Sequence, residues 1–374
     1  VKSFAELANP WVKDLVVYEP GRPIEEVARE LGFDDPAEII KLASNENALG
    51  PSPLAVQAMR DAAETMHLYP DGGSFYLRQA LADHLDVGPS QILPGSGSNE
   101  LIELLGHAFL GEGAHIVMSE QAFVVYRLVA NAARAATIAV PMTDFRHDLM
   151  AMREAITPQT KIVFIANPNN PTGTMVSQAE IDRFMDVIPE DVILCFDEAY
   201  VELLDPEQQP DVLQYVRAGR NVVLLRTFSK AYGLAGLRMG YAVAPESCIA
   251  LLNSVRQPFN LNAMAQVAAR AALADGEHIE RTRRLVRDGI AQFEAGFEAL
   301  GLAWVPTVVN FVLVEVGAGR EIFVALQKEG VITRPMDGYG LPDHIRITIG
   351  TRQENARCLA ALNAVMQQRS GCKQ

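Results

Sequence analysis

Cysteine is scarce in this chain of 374 residues. The four present, Cys195, Cys248, Cys358 and Cys372, form no Cys-x-x-Cys pair and no metal-ligand spacing. Neither a disulfide framework nor a bound metal is expected from them, and Cys195, inside an apolar run, reads as a small core residue. Basic residues are also in short supply: 32 Lys and Arg stand against 46 Asp and Glu, a formal net charge of -14. That field disfavours nucleic acid and anionic membranes as partners, so an anionic ligand would need locally placed arginines and helix N-termini. No run of about 18 apolar residues offers a membrane span, and the opening VKSFAELANP carries no apolar leader. Together these predict a cytoplasmic protein. There is no internal repeat and no low-complexity tract. Gly95-Ser96-Gly97 lacks the third glycine that a dinucleotide loop requires.

What is present is material for a core. Apolar residues make up 49% of the chain, and a chain this long builds one large domain with a smaller one, or two of similar size. Residues 1–40 are proline-rich and mixed, and read as an arm followed by the helical segment IEEVARELG. From residue 41 the pattern becomes regular. HIVMS (115–119), KIVFIA (161–166), VILCFD (192–197), NVVLLRT (221–227) and MGYAVA (239–244) are short, apolar and β-branched, as strands buried on both faces of a mostly parallel sheet should be. Helical patterns lie between them. One carries Leu101, Leu104, Leu105 and Ala108 behind Ser98 as its cap; another opens on the capping-box spacing Ser177-Gln178-Ala179-Glu180. Alternation of this kind predicts an α/β fold: a large domain over residues 41–260 with a mostly parallel sheet flanked by helices. Past residue 260 the character changes to a long helix (279–300), the strand NFVLVEV, a short helix (321–328), the strand HIRITIG and a last helix behind Thr351-Arg352-Gln353-Glu354. Residues 261–374 thus read as a smaller α+β domain.

Ligands of parallel sheets bind beyond the carboxyl ends of the strands. Three strand ends carry polar groups: Asn167-Pro168-Asn169-Asn170-Pro171-Thr172-Gly173, then Asp197-Glu198-Ala199-Tyr200, then Thr227-Phe228-Ser229-Lys230. Taken singly, each has an ordinary reading: a tight turn, a helix cap, a solvated lysine. Taken together, in this order and at strand ends, they converge on one crevice if the strands are neighbours.

The set ANPNNPTG, FDEAY and TFSKAYGLAGLRMGY resembles the signature of fold-type I pyridoxal-phosphate aminotransferases. VVYEPGRP, KLASNENALGPSP, LYPDGGSFYLRQALA, PGSGSNELIEL, VRQPFNLN and VITRPMDGYGLPDHIRITIG extend the resemblance nearly end to end, to the histidinol-phosphate aminotransferase family. Relatives that act on aromatic amino acids share the same residues, so both substrates stand. A decarboxylase of the same fold and a regulatory module are further rivals, the latter weakened by the failed glycine pattern.

The resemblance implies a large domain with a seven-stranded type of sheet flanked by helices and pyridoxal 5'-phosphate as cofactor, and it assigns roles by position. Lys230 would hold the cofactor covalently and then shuttle a proton. Asp197 would pair with the ring nitrogen, and Asn170 and Tyr200 with the ring oxygen. Phe123 would stack on the ring where many relatives have tyrosine. Ser98, Asn99, Thr227, Ser229 and Arg238 would bind the phosphate, and Tyr69 would reach it from a second subunit, making a homodimer with shared sites. Arg346, in the apolar strand HIRITIG, and Arg334 would grip anionic ends of an amino donor and a 2-oxo acid, with Tyr18 as a third contact. Asn45 and Asn47, in SNENALG, match positions near the site in relatives, and many relatives have Pro-Phe or Pro-Leu where this chain has Ala48-Leu49.

Overall fold

The computed structural model describes residues 1–15 and 21–371. The first strand, β1 (Ile40–Lys41), is followed by the seven strands of the large sheet: β2 (Ile92–Gly95), β3 (His115–Ser119), β4 (Ala136–Val140), β5 (Thr160–Ala166), β6 (Ile193–Asp197), β7 (Val222–Thr227) and β8 (Gly240–Val243). Their order is β2-β8-β7-β6-β5-β3-β4. All neighbours pair in parallel except β8, which runs antiparallel to both β7 and β2. The carboxyl ends of β5, β6 and β7 therefore lie side by side at one edge.

Alternation along these strands builds two cores, one on each face. Val117, Val163, Ile165, Leu194, Phe196, Val222 and Leu224 join one cluster. Their neighbours Ile116, Met118, Ile162, Phe164, Cys195, Val223 and Leu225 join the other. A one-residue slip would exchange the two faces and mismatch side chains with two differently packed cores, so packing on both sides fixes the register.

Sequence periodicity misses β2 and β4. In β2 a proline and a glycine sit inside four residues, which reads as a turn. β4 is alanine-rich and lies at the sheet edge, half exposed. The helix behind β2 spans Gly97–Phe109 with Ser96 as its N-cap, so Ser98 lies inside the first turn instead of capping it. The capping boxes at Ser177 and Thr351 form as expected.

The second sheet has four antiparallel strands, β9 (Trp304–Val305), β10 (Phe311–Glu315), β12 (Arg334–Pro335) and β13 (His344–Thr348), ordered β12-β13-β10-β9. Helices Gly276–Leu300 and Arg352–Gly371 pack on it through Phe293, Phe297, Cys358 and Leu362. The remaining strand, β11 (Val331–Ile332), pairs in parallel with β1 and so ties the segment after the N-terminal arm to the C-terminal part. Helix Ala263–Leu273 packs against the large sheet's core through Ala265, Ala268, Ala269 and Ala272. Among the described residues, no helix is long and apolar enough to cross a membrane.

Candidate active site

A cavity of about 230 Å³ opens at the carboxyl edge of β5–β7, between the two sheets. β6 delivers Asp197 as its last residue and Tyr200 three positions on, both 4% exposed. The loop after β5 delivers Asn170, the loop after β7 delivers Ser229 and Lys230, and β13 delivers Arg346. Three neighbouring parallel strands thus bring together what the sequence placed 60 positions apart.

Asp197 is buried next to an aromatic stack. Its Oδ2 accepts from Tyr126 Oη at 2.7 Å, and Oδ1 accepts from the Ala199 N–H at 3.2 Å. Tyr126 lies flat on Phe164, centroids 4.5 Å apart and 6° between planes, and meets Phe123 edge-on at 5.7 Å. Burial raises Asp197 to about 6, against the Tyr126 and Ala199 hydrogen bonds and the charge of Lys230, which hold it down. Its carboxyl therefore welcomes a cationic partner in the cavity.

Lys230 Nζ donates to the Ser44 carbonyl at 3.1 Å and stands 5.8 Å from the Tyr200 ring centroid. Burial brings its amine down to about 8, with Arg346 and Arg238 pushing the same way and Glu46 and Asp197 opposing. A lysine near 8 is a usable nucleophile at neutral pH; one near 10.4 is almost wholly protonated.

One end of the cavity is lined by hydrogen-bond donors and a guanidinium, the groups an anion needs. Helix Gly97–Phe109 points its first turn there, with Ser98 and Asn99 on the wall. Thr227 Oγ1 and Ser229 Oγ share a hydrogen bond of 3.0 Å beside it. Arg238, in a left-handed backbone conformation (φ 55), completes the set. This end is close-packed around two glycines. A Cβ on Gly97 would lie 2.7 Å from an Arg238 terminal nitrogen, and one on Gly240 would lie 2.6 Å from the Ser98 backbone nitrogen. Hydroxyls, helix N–H groups and a guanidinium at one end, with an amine and a carboxylate at the other, fit a phosphorylated ligand bearing a carbonyl and a basic ring.

Arg346 is 7% exposed. The isoleucines on either side of it, Ile345 and Ile347, face the small sheet's core, while its guanidinium reaches the cavity. There it donates to the Ala43 carbonyl at 2.9 Å and to Asn170 Oδ1, and it lies 5.1 Å from the Phe311 ring centroid. Arg334 lines the same wall. Tyr69 lies outside this cavity: it is 82% exposed and stacked on Phe259 at 4.8 Å. Tyr18 falls outside the described residues.

Two features, the roles of Tyr126 and Glu198, went unseen in the sequence, and a third, Asn45, was expected only to lie near the site. Tyr126 is three residues past Phe123, and that spacing was its only signal. Asn45 donates to Tyr200 Oη at 2.9 Å. Glu198 is buried under the site and takes two bonds from Arg226, at 2.9 and 2.8 Å. That pair anchors the strand end on which Lys230 follows.

Comparison with known proteins adds an independent line. Residues 37–362 match the model of the family "aminotransferase class I and II". The histidinol-phosphate aminotransferase of Akkermansia muciniphila is 51% identical over 365 residues, covering 97% of this chain and 100% of that protein. The histidinol-phosphate aminotransferase of Anaeromyxobacter sp. is 48% identical, covering 96% and 99%. Among solved structures, histidinol-phosphate aminotransferase from Sinorhizobium meliloti in complex with pyridoxal-5'-phosphate superposes with a TM-score of 0.87 at 28% identity, covering 96% of this chain and 98% of that one. A match to the family model over most of the chain, and near-complete coverage at about half identity, carry the conclusion that this chain belongs to the class I and II aminotransferase family.

Proposed function

We propose that this aminotransferase uses pyridoxal 5'-phosphate to move the amino group of L-histidinol phosphate to 2-oxoglutarate, yielding imidazole acetol phosphate and glutamate, a step of histidine biosynthesis. The observation that carries the reading is the convergence of Lys230, Asp197, Tyr200 and the Ser98–Thr227–Ser229–Arg238 cradle on one cavity. Full-length relatives named for this activity support the substrate.

The cofactor, when bound, supplies a carbonyl for the amine and a ring that accepts electrons. Lys230 is the residue to hold it covalently and, once displaced, to carry a proton at Nζ to and from the substrate carbon. Asp197 would pair with the ring nitrogen and hold a proton there. Asn170 and Tyr200 would hydrogen-bond the ring oxygen, and Phe123 would supply an aromatic contact to the ring. Ser98, Asn99, Thr227, Ser229 and Arg238 bind the phosphate; hydrogen bonds to a charged group contribute roughly 1.5–3 kcal/mol each, which offsets the protein's negative field. Arg346 and Arg334 take the anionic ends of the two alternate substrates, a phosphate monoester and a dicarboxylate. Tyr18 is a further candidate substrate contact.

The reading includes a homodimer. Leu68, Tyr69, Phe75 and Tyr76 are all more than half exposed, an apolar face of the kind that a second copy covers. Tyr69 would then reach the phosphate in the partner's cavity. A cytoplasmic setting suits Cys195, Cys248 and Cys358, which are all unpaired thiols.

The test is a comparison of kcat/KM for histidinol phosphate and for phenylalanine, each with 2-oxoglutarate. A preference for histidinol phosphate is expected. The reverse order would keep the residue roles and move the enzyme to aromatic amino acids.

A further inference from the structure

The Tyr200 hydroxyl is held from behind by a chain of hydrogen bonds that begins in the small sheet. Asn45 Nδ2 donates to Tyr200 Oη at 2.9 Å. Asn45 Oδ1 accepts from Thr348 Oγ1 at 3.2 Å, and Thr348 Oγ1 accepts from the Asn45 backbone N–H at 2.9 Å. Asn310 Nδ2 donates to the Asn45 carbonyl at 3.0 Å. Asn45 itself is 1% exposed and left-handed, with φ 53, a conformation that asparagine tolerates better than most residues. Thr348 is buried behind the wall and is not among the residues lining the cavity. It lies two positions from Arg346 on β13, on the same face of the strand.

The orientation of the Asn45 amide sets the direction of the chain. Its Oδ1 faces Thr348 and accepts the threonine hydrogen, while Thr348 Oγ1 accepts from the Asn45 backbone N–H. Its Nδ2 faces Tyr200, whose oxygen therefore accepts. A phenol that accepts from the amide keeps its own hydrogen for another partner, and the cavity lies on its open side. Burial pushes the Tyr200 phenol up to about 12, so this hydrogen is present across the neutral range.

We infer that Thr348 and Asn45 are positioning residues that aim the Tyr200 hydroxyl hydrogen into the cavity and so tie the strand carrying Arg346 to the oxygen Tyr200 contacts. The inference rests on the proposed function for the identity of that oxygen, the ring oxygen of pyridoxal phosphate. A reverse-oriented amide would make Tyr200 donate backward to Asn45 and leave the ring oxygen one donor short.

The experiment is a pH titration of the visible absorption band in protein loaded with pyridoxal phosphate, together with steady-state kinetics. Thr348→Val removes the hydroxyl at nearly constant volume. It should lower kcat/KM roughly three- to tenfold and move the pH midpoint of the band in the same direction as Tyr200→Phe. Thr348→Ser should restore both. In a Tyr200→Phe background, Thr348→Val should add no further shift, because the hydrogen it orients is gone. Asn45→Asp, which accepts at both oxygens and draws the phenol hydrogen backward, is the second variant and should shift the midpoint the same way. A wild-type midpoint in Thr348→Val, or full additivity of Thr348→Val with Tyr200→Phe, overturns the inference. Failure of the proposed function looks different: wild-type protein would develop no visible band with pyridoxal phosphate, and the inference would fall with it.

Discussion

Tyr126→Phe isolates one hydrogen bond under the site. The substitution keeps the ring that stacks on Phe164 at 4.5 Å and removes only the hydroxyl that donates to Asp197 Oδ2 at 2.7 Å. A hydrogen bond to a charged acceptor is worth roughly 1.5–3 kcal/mol net. At 1.36 kcal/mol per pH unit, losing it should raise the Asp197 carboxyl by about one to two units. Asp197 already titrates near 6 in the free protein because it is buried. The variant's carboxyl would therefore be protonated at neutral pH, and a protonated carboxyl makes no ion pair with a ring nitrogen. The assay is the affinity for pyridoxamine 5'-phosphate between about pH 5.5 and 8.5. That ligand forms no covalent bond to Lys230, so the lysine's own titration near 8 does not enter through attachment. Wild-type affinity should fall as pH drops through about 6, and the Tyr126→Phe curve should be displaced upward by about one to two units. Superimposable curves would refute the reasoning.

Three other expectations follow from the same geometry. Gly240→Ala places a Cβ 2.6 Å from the Ser98 nitrogen and 2.9 Å from the Arg226 carbonyl, both backbone; calorimetry should show a loss of about 1–3 kcal/mol from overpacking, together with weaker pyridoxal phosphate binding. Glu202 is buried with both carboxylate oxygens unpartnered, and burial raises it to about 7. A carboxyl raised on folding stabilises fully below its unfolded value near 4.5 and loses that contribution as pH rises through 7, about 3 kcal/mol in all. Glu202→Gln should therefore raise the melting temperature at pH 8 relative to wild type and lose that advantage below pH 4.5. Mixing Tyr69→Phe and Lys230→Ala proteins under conditions of subunit exchange should restore part of the activity, because each mixed dimer then contains one intact site; exchange without recovery would remove Tyr69 from a role across the interface.

The sheet and the site were legible to different depths, for physical reasons. β3, β5, β6 and β7 were readable because burial on both faces makes each an unbroken apolar run. β4 was not, since an edge strand of small residues carries no such pattern. Asp197, Lys230 and Asn170 stood out because strand ends are where a parallel sheet presents ligands, and polar groups there interrupt an apolar run. Tyr126 and Thr348 gave no comparable signal. Their partners lie 71 and 303 positions away, and such contacts exist only after the two sheets have packed. Arg346 was found because a lone arginine in an apolar strand demands a partner; what it grips inside the cavity, Ala43 and Asn170, came from tertiary structure alone.

The central claim is that Lys230 in this cavity is the point of covalent attachment. The direct measurement is reduction of pyridoxal-phosphate-loaded protein with borohydride, followed by digestion and mass analysis of every lysine peptide. The account predicts one dominant phosphopyridoxyl-modified site, Lys230, at close to one per chain, and none in Lys230→Ala. Modification centred on another lysine, or spread evenly over Lys2, Lys13, Lys41, Lys161, Lys328 and Lys373 with Lys230 no higher, would contradict it.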